Sequence, residues 1–431
     1  MAMDRSRPVL SWVMYDFASS AYVTTVATAL LPAYFAAVVA RDGLTVGATT
    51  VPAVSLWGYA VSLASVLVFL LTPVMGAMAD KGGLRKRFLI LCCLTGSAGA
   101  VLAGMAGPGD ILRALGCFVL AHVAYNAGIA FYDAFLPDLA LPSERDRISS
   151  LGYAFGYAGG GLNLALSLAL IQGHDFFGLD KSQAVQLAMA LAGCWWLGFS
   201  LISFMGLREA PGTSAGPGGN SGVAGWLNLA FGGLRGALDA ARRIVANRNA
   251  FRFLVAYIFY NDGVQTVISM ATIYGKEELG LSESVLLLTL LAIQAVALCG
   301  AMFFARLARR LGSRQALMLA LAGWVAAAVY GRFIENAWEY FGLGVAVGVV
   351  LGGSQALSRS IYSRLIPTDE PTVYFGFFSV LTKLSAILGP LVFAVVRQVT
   401  GSSRPAVLTL VIFFLAGLAL LARVTVDDGH A

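Results

Sequence analysis

The twelve residues Gly76 to Arg87, GAMADKGGLRKR, decide how the rest of the chain is interpreted. They hold five charged side chains and lie between two long apolar runs. The interior of a bilayer does not accommodate such a cluster, so the stretch predicts a short loop at a membrane surface. Gly82 and Gly83 permit the positive φ of a tight turn between two helices. Asp80 would then end the first helix, and Arg85 would open the second.

The composition of the whole chain agrees with a membrane location. Of its 431 residues, 58% are hydrophobic and 12% are charged, whereas soluble proteins carry about 25% charged residues. Apolar runs of about 20 residues recur from end to end. Helices satisfy their own backbone hydrogen bonds in lipid, so we predict an all-α integral membrane protein with twelve spans. The net charge of +6 falls in the predicted loops, and we expect no nucleic-acid binding.

The predicted spans fall into two groups of six. Residues 1–207 form an N-terminal six-helix half, residues 252–431 form a C-terminal half, and residues 208–251 form a linker. Pro211 to Gly222 has the composition of a flexible tether. Between Trp226 and Val245, apolar residues recur at helical spacing with arginines among them. This second part is either a plain tether or a helix on the membrane surface, with its basic edge toward anionic headgroups.

The two halves carry related landmarks. A weaker copy of the first loop, ARLARRLGSRQ, occupies Ala305 to Gln315, 229 residues after the original. Its Gly312 corresponds to Gly83, and Arg309 stands in the place of Asp80. A Tyr and a Pro also recur 230 residues apart, as Tyr132 and Pro137 and then Tyr362 and Pro367. Two landmarks at one spacing predict a duplicated unit.

Basic residues predict the orientation of the chain. With both termini inside, 21 Lys and Arg residues fall in the inner segments and 7 in the outer loops. Positive residues concentrate on the cytoplasmic side of membrane proteins, so the termini and the linker are predicted to be cytoplasmic.

Small residues predict close helix packing in two spans. The fifth span carries Gly152, Gly156 and the run Gly159 to Gly161. Helices in lipid associate where small residues let their backbones approach. The eleventh span, predicted as one helix over residues 373–397, contains Gly389-Pro390, which we take as the mirrored element.

Polar side chains at depth in the spans are the candidate transport residues, because such groups are costly in lipid. Asp262 and Lys383 fall near the middle of the seventh and eleventh spans. The candidates for binding substrate or protons are Asp16, Asn126, Asp133, Asn261, Asp262, Gln265, Gln355 and Lys383. The candidates for a gating loop are Gly76, Asp80, Gly83, Arg85, Lys86 and Arg87.

Three roles are open for Asp262. It could form a structural ion pair with Lys383 that links two helices. It could bind the ammonium group of a zwitterion whose carboxylate binds Lys383. It could also carry a proton, since burial and a movable neighbouring Lys shift the pKa of a carboxylate in opposite directions.

Three motifs resemble known transporters. The loop at residues 76–87 resembles the Gly-x-Leu-Ala-Asp-Arg-x-Gly-Arg-Lys-Arg signature of the major facilitator superfamily, with Met78 and Lys81 in place of Leu and Arg. The run YDFASSAY from Tyr15 and the run YNDGVQT from Tyr260 resemble the unknown-major-facilitator family, which includes the fungal vacuolar amino-acid effluxer linked to autophagy. The resemblance implies the twelve-helix fold with two pseudo-symmetric halves and a cavity lined by spans 1, 4, 7 and 10. It leaves the substrate open.

These patterns favour secondary active transport of a small polar solute, such as an amino acid or another zwitterion, coupled to protons. The alternatives are export of amphipathic drugs or lipids and, less favoured, a non-transporting receptor or scaffold. The three histidines are scattered, and the sequence has no phosphate-binding Gly-rich loop. We therefore expect that the protein is not an enzyme and that it has no metal site and no cofactor. The expected partners are the solute, protons and membrane lipids, for a protein that functions as a monomer in a bacterial inner membrane.

Cysteine labelling tests the predicted topology. With the linker inside and the last loop outside, cysteines introduced at Ser214 and Ser402 should react with membrane-impermeant reagents from opposite sides. Labelling of both positions in intact cells would contradict the twelve-span topology.

Overall fold

A computed structural model of the chain describes residues 6–47, 49–209 and 223–427, and these are largely helical. The predicted tether Pro211 to Gly222 lies outside the described residues. The first six long helices are α1 (Ser6–Val39), α2 (Ala53–Gly82), α3 (Arg85–Gly104), α4 (Ile111–Asp133), α5 (Arg145–Gln172) and α6 (Lys181–Gly206). The others are α7 (Val223–Ala246), α8 (Arg248–Glu277), α9 (Glu283–Leu311), α10 (Ser313–Gly331), α11 (Ala337–Leu365), α12 (Pro371–Leu384), α13 (Leu388–Thr400) and α14 (Ser403–Leu421).

The remaining elements are short. A hairpin of β1 (Leu44–Val46) and β2 (Thr49–Val51) pairs antiparallel between α1 and α2. Single turns of helix occupy Leu136–Leu139, Pro142–Glu144 and His174–Phe177. Within α1, the stretches Tyr22–Leu30 and Phe35–Val39 have π-helical geometry.

Ten membrane-spanning candidates emerge from the described residues by length and apolar character, with α12 and α13 counted together as one. Two further helices, α8 and α10, are 30 and 19 residues long. These lengths suit a bilayer crossing, which takes about 20 residues. The middle of α8 carries Asn261, Asp262 and Gln265, which make it more polar than an ordinary span. With these two helices the predicted all-α class with twelve spans is confirmed.

The helices are grouped in two compact units. Unit 1 contains Met1–Phe135 and Phe155–Ala237, and unit 2 contains Leu136–Ala154 and Leu238–Ala431. Large aromatic side chains fill both cores. In unit 1, Tyr22 stacks on Trp196 with ring centroids 5.3 Å apart, and in unit 2 Trp324 stacks on Phe414 at 5.4 Å.

Close packing of the fifth span is confirmed in unit 1. A Cβ atom added at Gly159 of α5 would lie 2.0 Å from the carbonyl oxygen of Phe17 in α1. At Gly156 it would lie 2.9 Å from the hydroxyl of Ser20. Glycine is therefore required where α5 crosses α1.

The two corresponding loops turn on glycines with positive φ. Gly83 has a φ of 59° and Gly312 a φ of 88°. The predicted bounds are confirmed, because α2 ends at Gly82 and α3 begins at Arg85. Of the two glycines that permit a positive φ, Gly83 alone adopts it, and Gly82 completes the last turn of α2.

Glu278 joins α8 to α14. Its carboxylate accepts hydrogen bonds from the Ser403 N–H at 2.7 Å and the Ser402 hydroxyl at 2.8 Å, with Arg404 Nε at 3.5 Å. Burial raises the pKa of Glu278, but these hydrogen bonds, together with Arg404 and Arg397, lower it below its ordinary value of 4.5. A carboxylate at the first turn of a helix also interacts favourably with the helix dipole.

The Glu278 contact predicts a pH-dependent stability. Because the folded pKa lies below the unfolded one, the stabilisation is present above pH 4.5 and is lost as the pH falls through the folded pKa. Glu278→Gln should lower the thermal midpoint in detergent at pH 7, at a cost of about 1 kcal/mol. The difference from the wild type should shrink in acid. Asp42→Asn, at an exposed loop position, serves as the control. Equal effects of both variants at pH 7 would contradict the assignment.

Candidate functional site

The predicted eleventh span is interrupted. It is not one helix, because α12 ends at Leu384 and α13 begins only at Leu388. Pro390 accounts for the break, since in a continuous helix its ring would clash with the carbonyl group of Ala386 and it has no N–H to donate. The interruption leaves the first N–H groups of α13 without acceptors inside the helix. Lipid offers no hydrogen bonds to replace them.

Asp262 on α8 supplies the missing acceptor. Its side-chain oxygen Oδ1 accepts a hydrogen bond from the Gly389 N–H at 2.8 Å, and the Leu388 N–H also donates to this carboxylate. The next N–H in the helix, that of Leu391, reaches the Ile387 carbonyl at 3.3 Å. Asp262 is 1% exposed. The carboxylate is thus an N-terminal cap contributed by a neighbouring helix.

Neighbouring polar groups bind the end of α12. The Asn261 side-chain amide donates to the Ser385 hydroxyl, which donates to the Thr382 carbonyl at 2.9 Å. The Tyr257 and Thr382 hydroxyls are 2.8 Å apart. Side chains on one face of α8 therefore contact both sides of the interruption.

Gly389 allows this contact. A Cβ atom at this position would lie 2.0 Å from Thr266 Oγ1 and 2.8 Å from Asp262 Oδ1. In unit 1 a similar pair exists, because a Cβ atom at Gly156 would lie 3.3 Å from Asp16 Oδ1. In unit 1, Asp16 on α1 therefore faces a glycine on α5. In unit 2, Asp262 on α8 faces a glycine on α13.

Asp16 has a different set of partners from Asp262. Its Oδ2 accepts a hydrogen bond from the Tyr132 hydroxyl at 3.1 Å, and the acid is 7% exposed. The Trp12 indole donates to the Tyr132 carbonyl at 2.9 Å and stacks on its ring. Tyr132 therefore links α1 to α4. The corresponding Tyr362 in unit 2 donates instead to the carbonyl of Tyr374, at 2.9 Å.

The other predicted site residues lie on their helices as follows. Asn126 is buried and donates to the His122 carbonyl one turn earlier, at 2.6 Å. Asp133 is buried as the last residue of α4. Gln265, Gln355 and Lys383 are half-buried on α8, α11 and the last turn of α12. Among the predicted residues, only Asn261 and Asp262 meet at the interruption through the contacts described.

The charged residues of the predicted gating loop form an ion pair and hydrogen bonds within unit 1. Asp80 Oδ1 lies 3.7 Å from Arg85 Nη2, and the Asp80 side chain is 2% exposed. The Asp80 carboxylate is thus buried next to Arg85, in the last turn of α2. Arg85 also donates to the Ala134 carbonyl at 3.0 Å, and Lys86 Nζ to the Leu207 carbonyl at 2.8 Å. The remaining predicted loop residues are Gly76, buried in α2, Gly83, at the turn, and Arg87, exposed in α3.

Unit 2 has a charged cluster that the sequence analysis did not find. Arg364 at the end of α11 binds Asp146 in the first turn of α5, with Nη2 and Oδ2 3.0 Å apart. The two side chains are 4% and 6% exposed. The hydroxyl of Ser313, at the start of α10, donates to the same carboxylate at 2.7 Å. The partners are 218 and 167 residues apart, and no sequence pattern joins them.

Arg359 is a second buried arginine whose partners the sequence analysis did not find. It is 2% exposed, and its guanidinium donates to the Ser149 hydroxyl at 2.9 Å and to the Ser149 carbonyl at 2.7 Å. It also stacks over the ring of Tyr153, 4.2 Å from the centroid. A charged residue in an apolar span is visible in the sequence, but the partners of Arg359 on α5 are visible only in the fold.

In the part of the chain that the structure describes, no group of three or more His, Cys, Asp or Glu residues is placed to hold an ion. The five cysteines are free thiols.

Comparison with solved structures shows which fold this arrangement of helices represents. The fold matches FucP, a major facilitator superfamily transporter in the outward conformation, with a TM-score of 0.69 and 14% identity over 98% of each chain. It matches the human organic anion transporter MFSD10 with a TM-score of 0.70 and 17% identity, over 97% of this chain and 99% of the other. The protein therefore has the major facilitator fold and is an integral multi-pass membrane protein.

The sequence comparisons give the family. The family model described as "Vacuole effluxer Atg22 like" matches residues 4–431, and the chain belongs to this family. The uncharacterized MFS-type transporter YxiO of Bacillus subtilis is 30% identical over 96% of this chain and 94% of its own length. Autophagy-related protein 22-2 of Aspergillus fumigatus is 26% identical over 68% of this chain, which spans about half of the fungal protein, 51%. The predicted family and the general role as a transporter are confirmed.

Replacement of Gly389 tests the interrupted helix. Gly389→Ala should lower the thermal midpoint in detergent and reduce transport, because its Cβ atom must displace Thr266 and the Asp262 carboxylate. Gly342→Ala is the matched control, since nothing lies within 4 Å of a Cβ atom at this helical position. We expect that control to be neutral or slightly stabilising, because alanine favours helix over glycine. Equal behaviour of the two variants would show that α13 does not depend on this contact.

Proposed function

We propose that the protein is a secondary active transporter that moves a small polar solute by alternating access, coupled to protons. Amino acids and other zwitterions are the first substrate class to test. The observation that carries the proposal is the buried Asp262 carboxylate on the first N–H groups of α13. A charged group at this depth is costly unless it has a partner or a function. Here the partner is an interrupted helix, an element that can change position.

Proton binding at Asp262 would weaken the attachment of α13. Hydrogen bonds to a carboxylate are about twice as strong as those to a neutral group. The rest of α13 holds on loosely, since only Gly389 and Phe393 are buried among its 13 residues. At the far end of the helix, Arg397 forms an ion pair with Glu277 that is partly exposed. Loss of the charge on Asp262 would therefore release the start of α13 and leave its end attached.

The same residues offer contacts for a zwitterion. Asp262 could bind an ammonium group, and Lys383, in the last turn of α12, could bind a carboxylate. Asn261 and Gln265 provide amide groups on α8 for hydrogen bonds. Under this alternative, substrate rather than a proton would compete with the N–H groups of α13 for Asp262.

The buried ion pairs fit the role of contacts that break and re-form. Asp80 with Arg85 in unit 1, and Asp146 with Arg364 in unit 2, hold the ends of several helices. Removal of one partner from a buried pair costs about 3–5 kcal/mol, because the other charge stays buried. Such pairs open in a transport cycle only if both partners find water or new contacts.

One observation favours a second function, export of amphipathic drugs or lipids. Unit 2 contains a partly open cavity whose lining is almost wholly apolar. The cavity reaches Thr266, one helical turn from Asp262. Its larger lining residues are Met270, Tyr274, Trp324, Tyr340, Leu343 and Phe393. A cationic amphiphile would place its charge at Asp262 and its apolar part in this cavity.

The cellular setting is also part of the proposal. We assign the protein to a bacterial cytoplasmic membrane, with both termini and the linker on the cytoplasmic side, from the distribution of Lys and Arg. The working unit would be a monomer in contact with membrane lipids.

Asp262→Asn separates the roles of this residue, because asparagine keeps the shape and loses the titratable charge. Purified protein in liposomes is tested for exchange and for accumulation of labelled amino acids under an imposed pH gradient. A proton carrier should retain exchange and lose accumulation. An ammonium ligand should lose about tenfold or more in affinity, which corresponds to a charge-assisted contact of about 1.5–3 kcal/mol.

Two further variants complete the test. A purely structural pair of Asp262 with Lys383 predicts that Asp262→Asn and Lys383→Gln are each poorly folded and that the double variant recovers activity. Asp42→Asn, at an exposed position, controls for the loss of one acid. Accumulation at the wild-type rate by well-folded Asp262→Asn would exclude both functional roles. Uptake of labelled amphiphiles alone would favour the second function.

A further inference from the structure

Helix α7 presents a small-residue face to unit 1. Its buried residues include Gly233, Gly236 and Ala237. A Cβ atom at Gly233 would lie 2.6 Å from the Met78 side chain at the end of α2. Lys81 Nζ, in the last turn of α2, donates to the Gly232 carbonyl at 2.9 Å. The helix is therefore fixed against the end of a membrane span.

A second face of α7 is apolar and exposed. Phe231 is 66% exposed, Leu234 47%, Leu238 54% and Val245 63%. At about 100° per residue, these four side chains project within about 60° of each other. This direction differs by about 160° from that of the buried Gly233 and Gly236. Exposed apolar residues grouped on one face mark a surface that contacts another apolar phase.

A third face is charged and adjoins the apolar one. Arg235 and Arg242 are exposed at the edge of the apolar face, about 60° from its centre. Arg242 lies 3.5 Å from Asp239, but these side chains are 82% and 62% exposed. An exposed pair of this kind contributes little. Arg242 can therefore exchange its partner for another anion.

The position of α7 identifies the apolar phase. The helix packs on residues 74–81, at the end of α2, and only Asn247 separates it from α8. Both neighbours are membrane-crossing helices, so α7 lies at the level where spans leave the bilayer. A helix at this level that carries both apolar and basic residues suits the headgroup region.

We propose that α7 is a membrane-surface helix. Its apolar face, Phe231, Leu234, Leu238 and Val245, inserts into the bilayer, and Arg235 and Arg242 bind the phosphate groups of anionic lipids. In the proposed orientation this is the cytoplasmic leaflet. The inference does not depend on the substrate or on the role of Asp262.

Fluorescent labels at two positions on different faces of α7 test the proposal. The full chain, with Cys117, Cys194 and Cys299 replaced by alanine and the buried Cys92 and Cys93 kept, receives one added cysteine at Leu234 or at Asp239 and an environment-sensitive NBD label. The protein is reconstituted in phosphatidylcholine vesicles with or without about one quarter phosphatidylglycerol. The label at Leu234 should emit at shorter wavelength and be quenched by spin-labelled acyl chains. The label at Asp239 should be quenched by aqueous iodide instead.

The arginines are tested in the same system. Phosphatidylglycerol should increase acyl-chain quenching at Leu234 by about twofold, and Arg235→Gln with Arg242→Gln should abolish that increase. A label at Leu238 repeats the measurement if the Leu234 variant is unstable. Equal iodide access at Leu234 and Asp239 would overturn the proposal. Disulfide cross-linking of two chains through Leu234→Cys, without acyl-chain quenching, would overturn it in favour of a second copy.

Discussion

The hydrogen bonds from the start of α13 to Asp262 satisfy a constraint that the bilayer imposes on the whole structure. Every backbone N–H at membrane depth needs an acceptor from the protein. Pro390 interrupts the eleventh span, and the Asp262 carboxylate takes up the two N–H groups that the interruption exposes. The start of α13 is thereby held by a carboxylate that belongs to another helix.

The two units apply related sequence elements in different ways. Asp16 and Asp262 each face a glycine on a neighbouring span, but α5 is continuous at Gly156, whereas the eleventh span is broken before Gly389. Asp16 therefore binds a tyrosine hydroxyl, and Asp262 binds backbone. Only the second arrangement makes the attachment of a helix depend on a carboxylate.

The glycine loops show the same divergence. In the first loop, Asp80 and Arg85 belong to one stretch and pair with each other. In the second, Arg309 stands where the acid stood and is exposed. Unit 2 takes its acid from α5 instead, where Asp146 binds Arg364 and Ser313. A buried pair of this kind is not by itself a large source of stability, because both charges lose their contact with water.

The sequence by itself determined the class, the number of spans, the glycine turn at Gly83 and the family, because these depend on local composition and on motifs within about ten residues. It also identified Asp262 as unusual, since a charge in an apolar run is visible without a structure. Only the tertiary structure decided what these groups bind. Gly389 lies 127 residues from Asp262, and Ser149 lies 210 residues from Arg359. No local pattern encodes such partners, because the packing of helices that are distant in sequence selects them.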